Sequence, residues 1–314
     1  HELVGDEWVM ENVRVENHYA RDHDAHVDLG VTHGRKVPVK LDRRFVNADI
    51  RIATGLVEPH FMAGWSGGRK VITPGIAHAD TITTFHSARF MEHPNCDNCV
   101  LQGNPLHEEQ LEIVDMIGGA HAINLVIDEA RNISMLNFGE IKQSHLEAVE
   151  FMRNFAQIHS PKRYATVVTS AAGYPLDKTY YQTIKGMVGA LGILQEGGTL
   201  IIASACSEGM GSIDYIKSQE RLIALGPNKF LSEILGKSNA AIDEWQSEML
   251  LKPLRMGRVC LYTDGLSDEE KSMTGVEIIE SITETIAQSV KQSKDANIAI
   301  IPEGPYVVPR YYVT

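Results

Sequence analysis

The sequence predicts an α/β protein in two domains, and three observations carry that expectation. Beyond residue 163, short apolar runs alternate with amphipathic stretches, the pattern of parallel strands buried between helices. The length is 314 residues, 43% of them hydrophobic, enough for two cores at about 150 residues per domain. A polar break, HSPKR, ends a long amphipathic run and sets the boundary between an N-terminal domain (1–158) and a C-terminal domain (159–314). The second domain is expected to be Rossmann-like, a mostly parallel sheet with helices on both faces.

Taken in order, NVRVENH (12–18), VDLGVTHGRKVPV (27–39) and DIRIATGLV (49–57) read as strands or hairpins, separated by the histidine-rich turn ARDHDAH. ADTITTFHSARFME (79–92) reads as one helix. NPLHEEQLEIVDMIGG (104–119) reads as another, with Asn104 as cap, Pro105 at the first helical position and Gly118-Gly119 ending the periodicity. KQSHLEAVEFMRNFAQI (142–158) is amphipathic. Beyond the break the expected order is strand YATVVTSA, helix KTYYQTIKGMVGALGIL, strand GTLIIASAC, helices over 228–250, strand RVCLYTDG, helix GVEIIESITETIAQSV and strand NIAIIPEG.

Composition narrows the function. With 29 Lys+Arg against 41 Asp+Glu, the formal charge of −12 opposes docking on nucleic acid or anionic membranes. No run approaches the roughly 20 apolar residues of a membrane span, and no leader pattern opens the chain. Four scattered cysteines do not make a secreted disulfide framework. A cytoplasmic protein with a small-molecule ligand is the expectation.

The stretch EPHFMAGWSGGRK (58–70) follows a strand and ends in a lysine. It is not a Walker A loop, because Arg69 stands where glycine belongs and Val71 where the magnesium-binding hydroxyl belongs. A turn of this kind still offers Ser66 and the amides of Gly67 and Gly68 to a phosphate, or it is a sharp turn with a surface lysine. His60 and His86 flank Lys70, as ligand or proton carrier or as ordinary hydrogen-bonded histidines. In SAAGYPLDKTYYQTIKGM (170–187), a strand end and turn lead into a helix with Gln182 and Lys185 on one face. At the carboxyl end of a parallel strand, that face looks into the crevice where such sheets bind ligands, unless both side chains are simply solvated. Cys96 and Cys99, with His93 and His107 nearby, offer a zinc alternative with only one close-spaced pair.

GLVEPHFMAGWSGGRKVITPGIA, then His86, GNPLHEE and GYPLDKTYYQTIKGM together resemble the nickel-dependent lactate racemase family along the whole chain. The resemblance implies a nickel-pincer nucleotide, a pyridinium thioamide/thiocarboxylate mononucleotide, covalently attached at Lys70. It implies His86 as nickel ligand, its other ring nitrogen held by an acceptor, and His60 as acid/base group. Gln182 and Lys185 contact substrate or cofactor, and Trp245, in DEWQ, lies near the pocket. The implied activity is racemisation or epimerisation of a 2-hydroxy acid, lactate or a related hydroxy or sugar acid, by hydride transfer, which avoids a carbanion beside a carboxylate. Cofactor-synthesis enzymes are transient partners.

The family also has an N-terminal stretch with a second acid/base histidine and a substrate-binding arginine, for which no equivalent precedes the EPH motif. A catalytically incompetent binding module of the same fold is therefore an alternative, beside the zinc-binding α/β protein. Trp65 and the pair Phe61-Met62 are expected to flank the site and bear on substrate choice. The site itself is expected in the cleft between the domains, with the hinge near 155–165.

Overall fold

Five parallel strands form the larger sheet in the computed structural model, which describes residues 5–312. Their spatial order is Glu277–Ile278, Arg258–Tyr262, Leu194–Ala203, Tyr164–Ser170 and Ile298–Ile301. The middle strands are apolar without alternation because helices cover both faces: Val167, Leu200, Ile201, Ile202, Cys260 and Leu261 are all fully buried. Helices Tyr180–Gly189 and Glu244–Met256 pack on one face, while Ile282–Ser293 lies against the sheet around Ile201 and Cys260. The parallel, helix-covered sheet expected of the second half is present.

The N-terminal half is built on smaller pieces. Strand Ile52–Leu56 runs parallel to His121–Ile127, which forms an antiparallel hairpin with Ile133–Glu140. Helix Ile141–Ala156 packs on that hairpin. His26–Val31 and Pro38–Asp42 form the hairpin expected from 27–39. Helix Pro105–Met116 starts as the sequence implies, Asn104 Oδ1 accepting the amides of Leu106 and His107.

Three expectations are corrected. NVRVENH joins no sheet: residues 13–18 carry no regular element, and Val13 and Val15 are exposed. The single helix over 79–92 is two, Ala79–Phe85 and Ala88–Met91, broken at His86-Ser87. The helix expected over 275–290 starts only at Ile282, Glu277–Ile278 serving as the edge strand of the parallel sheet.

The chain crosses between halves twice, and the crossings are hydrogen-bonded. Gln157–Ser160 pairs in parallel with Val308–Tyr311, so the outgoing segment and the returning C-terminal segment form one two-stranded ribbon. One hydrophobic core runs through both halves, from Val37 and Phe85 to Leu200 and Met249. No helix among the described residues is long and apolar enough to cross a membrane.

Candidate active site

The lysine turn is shaped by close packing. Pro59–His60 pairs antiparallel with Gly64–Trp65 around residues 61–63. Ser66 Oγ donates to the Leu56 carbonyl at 2.8 Å and accepts the Glu58 amide at 2.9 Å, which fastens the turn to the preceding strand. Gly67 (φ 74°) and Gly68 (φ 49°) occupy left-handed backbone. A Cβ on Gly67 would stand 2.9 Å from the Leu56 oxygen, and one on Gly68 2.6 Å from the His145 ring. Packing alone thus demands both glycines and commits the Ser66 hydroxyl. Neither glycine amide makes a hydrogen bond among the described residues, so both are unspent donors.

Beneath the turn lies Arg69, which in the sequence marks only the departure from a Walker A loop. Arg69 is buried, its Nη1 donating to the Trp65 carbonyl at 2.9 Å and its Nη2 to the Ala63 carbonyl at 2.8 Å. Burial pulls its pKa down to about 9. Nη1 also lies 3.0 Å from His145 Nε2, itself 2.8 Å from the Ser66 carbonyl. A protonated Nε2 serves Ser66 and a bare one accepts from Arg69; the ring cannot do both.

Next to this support, Lys70 sits in the first turn of helix Arg69–Ile72. Burial first, then the charges of Lys185 and Arg69, lowers its pKa to about 8. Its amine has no hydrogen-bond or ion-pair partner among the described residues. His60 Nδ1 accepts the amides of Met62 (3.3 Å) and Ala63 (3.1 Å), which assigns the proton of the neutral ring to Nε2. Burial, with Lys70, Lys185 and His86 adding like charge, holds His60 well below the usual histidine range.

The helix break at 86–87 matters here, because it turns the His86 ring out of the periodic pattern. His86 Nδ1 donates to the Ile82 carbonyl at 2.8 Å, leaving Nε2 as a bare lone pair. Burial depresses its pKa to about 4, opposed by that hydrogen bond and aided by Lys70. The indole of Trp245 lies 4.5 Å from the ring, its Nε1 donating to Tyr181 Oη at 3.0 Å.

From the second half, Lys185 reaches the same place. Burial lowers its pKa, and the Glu58 carboxylate opposes that shift. Burial raises the pKa of Glu58, and Lys185 pulls it back. Gln182, one turn earlier, keeps a buried Oε1 without a partner. Beside Glu58 a cavity of about 380 Å³ opens between the halves, lined among others by Phe155, Tyr174, Glu303 and Tyr306.

Lys70, His60, His86 and Lys185 therefore act on one another electrostatically, with Trp245 against His86. Trp65 and Met62 are core side chains, drawn inward as the two-residue ladder folds, whereas Phe61, also buried, packs its ring on that of His60 with centroids 5.3 Å apart and so flanks the site as expected. The zinc alternative also fails on geometry. Cys96 and Cys99 are buried thiols pushed up to about 12 by burial, and they do not converge with His93 or His107.

Fold and site together define a two-part α/β protein whose lysine-bearing glycine turn faces a helix of the parallel-sheet half. Residues 1–98 match the lactate racemase N-terminal domain and residues 160–308 the lactate racemase C-terminal domain. The chain belongs to the lactate racemase family. It is 32% identical over 277 residues to the lactate racemase of Thermoanaerobacterium thermosaccharolyticum, covering 87% of this chain and 64% of that protein. It is 25% identical over 303 residues to the lactate racemase of Lactiplantibacillus plantarum, covering 96% of this chain and 70% of that protein. The solved lactate racemase apoprotein of T. thermosaccharolyticum superposes with a TM-score of 0.91 at 28% identity, over 97% of this chain and 73% of that one. A Thermotoga maritima crystal structure shares the fold alone, with a TM-score of 0.66 at 18% identity over 95% and 78% of the two chains.

Proposed function

We propose that this chain forms the catalytic part of a 2-hydroxy acid racemase or epimerase, an isomerase working at a lysine-tethered nickel-pincer nucleotide. The observation that carries the reading is the pair formed by Lys70 and His86. An amine brought to about pKa 8 and without a partner is an acylatable nucleophile near neutral pH. An imidazole that spends Nδ1 on a backbone carbonyl and keeps Nε2 bare is arranged as metal ligands are. The residues thus fit the cofactor: Lys70 as tether, His86 as nickel ligand, and the amides of Gly67 and Gly68 as donors to a phosphate. When bound, the cofactor supplies a reversible hydride acceptor.

The chain's own groups do the rest. Lys185, whose charge Glu58 supports against burial, holds the substrate carboxylate. Gln182 brings an unsatisfied amide oxygen to a substrate hydroxyl. His60 was expected as an acid/base group, and its hydrogen bonds narrow that role. With Nδ1 occupied by two amides, the neutral ring presents Nε2–H to the oxygen that alternates between hydroxyl and carbonyl, and the proton that this oxygen sheds on oxidation passes to the buried Glu58 carboxylate, whose pKa burial raises. Taking a proton at Nε2 would require a proton on Nδ1, which both amides oppose. Closure of the two halves around this site excludes water.

The test is intact mass and chirality together. Protein co-produced with the cofactor-synthesis enzymes should carry an adduct lost in Lys70→Ala, and should racemise at least one of a panel of 2-hydroxy acids. An adduct without turnover on any of them would favour the incompetent binding module, and no adduct would overturn the reading.

A further inference from the structure

A second group of ligand-type side chains lies at the opposite end of the helix that leads to His86. His23, His78 and Asp80 bring one donor atom each to within 4.8 Å of one another. His78 caps helix Ala79–Phe85 at its start, and His86 caps the same helix at its end. Eight residues at 1.5 Å rise separate them by about 12 Å, so this is not the Lys70–His86 site.

Ordinary packing explains only part of the group: His78 Nδ1 accepts the Asp80 amide at 3.1 Å as the helix cap, which in the neutral ring leaves the proton on Nε2. His78 is 2% exposed and His26 4% exposed, and the Nε2 atoms of both are buried without any partner. An orphaned buried ring nitrogen costs about 1–3 kcal/mol, and here two stand side by side, their rings 5.0 Å apart edge to face. His26 Nδ1 lies 2.6 Å from the Asp22 carbonyl, which makes it the donor and leaves Nε2 as a bare lone pair. The His23 ring lies 4.2 Å from that of His78 at the open side of the group. The polar neighbours are Lys40, which pairs with Asp80 at 2.7 Å, and His18, whose Nδ1 lies 3.1 Å from Asp42 Oδ2.

We propose that His23, His78 and Asp80 bind a divalent transition-metal ion, with His26 beside them as a further nitrogen donor. Two or three imidazoles with one carboxylate suit zinc and its neighbours rather than calcium or magnesium. The ion takes over from Lys40 as the counter-charge of Asp80 and takes His78 Nε2 as the ring proton moves to Nδ1 and the cap on the Asp80 amide is given up, so Lys40 and that cap are its competitors. Binding links the segment around residues 18–26 to the start of the helix that ends at His86. That segment is already pinned there by one backbone hydrogen bond, from the Ala79 amide to the Ala20 carbonyl at 2.7 Å. The site therefore serves as a clamp on the helix.

Equilibrium dialysis of the full chain against zinc at pH 7.5, with cobalt absorption as a second probe of ligand number, tests this. His23 is exposed, so His23→Ala should keep the fold, and it should weaken zinc binding at least tenfold. Lys40→Gln should tighten it, and His86→Ala should leave this zinc equivalent in place. Cobalt should show an intense visible absorption typical of four-coordinate nitrogen and oxygen ligands, missing in His23→Ala. Equal zinc affinity in wild type and His23→Ala, or loss of all binding in His86→Ala alone, would overturn the proposal.

Discussion

The imidazole of His86 packs against the indole of Trp245 with ring centroids 4.5 Å apart, joining a helix end of the N-terminal half to a helix of the parallel-sheet half. Trp245 is itself held by its Nε1 hydrogen bond to Tyr181 Oη, in the turn before Lys185. The orientation of the proposed nickel ligand thus depends on the other half of the molecule. An aromatic pair contributes about 0.5–1.5 kcal/mol beyond area burial. Trp245→Ala should therefore weaken nickel retention by roughly twofold to tenfold, read by metal analysis after dialysis against a chelator series. Trp245→Phe should recover most of it, and unchanged retention in Trp245→Ala would remove the indole from the site.

The Lys70 amine should titrate well below the surface lysines. Its pKa is lowered to about 8 by burial and by Lys185 and Arg69, so the nucleophilic free base rises through pH 8 rather than above pH 10. Reductive methylation with carbon-13 formaldehyde should give one dimethyl-lysine resonance titrating near pH 8, absent from Lys70→Arg. In Lys185→Gln that midpoint should move upward, since a like charge has been removed. A Lys70 resonance titrating near pH 10 would contradict the assignment.

Acid should destabilise the fold through its neutral histidines. His107 is buried, its Nδ1 is without a partner, and burial together with Arg69 brings its pKa down to about 3. Its folded pKa lies below the unfolded value of about 6.5, so the unfolded chain takes up the proton first. The stabilisation is complete above pH 6.5 and is lost as pH falls toward 3. Each such group steepens the loss by up to about 1.4 kcal/mol per pH unit. Urea unfolding of His107→Gln should show a shallower decline between pH 6 and pH 4; an identical slope would show that His107 protonates without opposing the fold.

Arg69 should matter for stability more than its neighbour Lys70. Arg69→Ala removes the donors to the Trp65 and Ala63 carbonyls and leaves both without them, at a cost of roughly 2–6 kcal/mol by the desolvation of two acceptors. Lys70→Ala removes an amine that bonds to nothing in the described residues. Denaturant midpoints for the two variants should differ accordingly, and equal midpoints would mean that the turn is held by its glycines and Ser66 alone.

Much of the architecture was readable because periodicity reports burial directly. The fully apolar strands around Val167, Ile201 and Leu261, and the Asn104-Pro105 start with its Gly118 stop, follow from local rules. What stayed hidden depended on distant partners. Arg69 beside Lys70 looks like a second surface cation, and only His145, 76 positions away, and carbonyls of its own turn make it a buried support. Trp65 and Met62 look like pocket residues because the sequence does not say which way a two-residue ladder folds. The break at His86 interrupts an otherwise continuous helical pattern, and no glycine or proline announces it. The glycines of the turn were legible as a turn, but their need to clear Leu56 and the His145 ring was not.

His60 provides the last test, because its two proposed roles differ in pH dependence. A ring that exchanges a proton with the substrate at Nε2 must pass through the imidazolium, and kcat would then follow its ionisation. A ring fixed by the Met62 and Ala63 amides as the Nε2–H tautomer stays neutral, since burial and the charges of Lys70 and Lys185 already oppose the cation. Polarising a carbonyl from a neutral imidazole needs no change of charge. The kcat profile of loaded enzyme should therefore show no His60 inflection between pH 5 and pH 8, while His60→Asn, with a neutral amide donor, should retain more activity than His60→Ala. Nitrogen-15 shifts of the ring should report a protonated Nε2 and a bare Nδ1 across that range. An inflection that disappears in His60→Asn would restore the proton-carrier role and require the ring to release both amides during turnover.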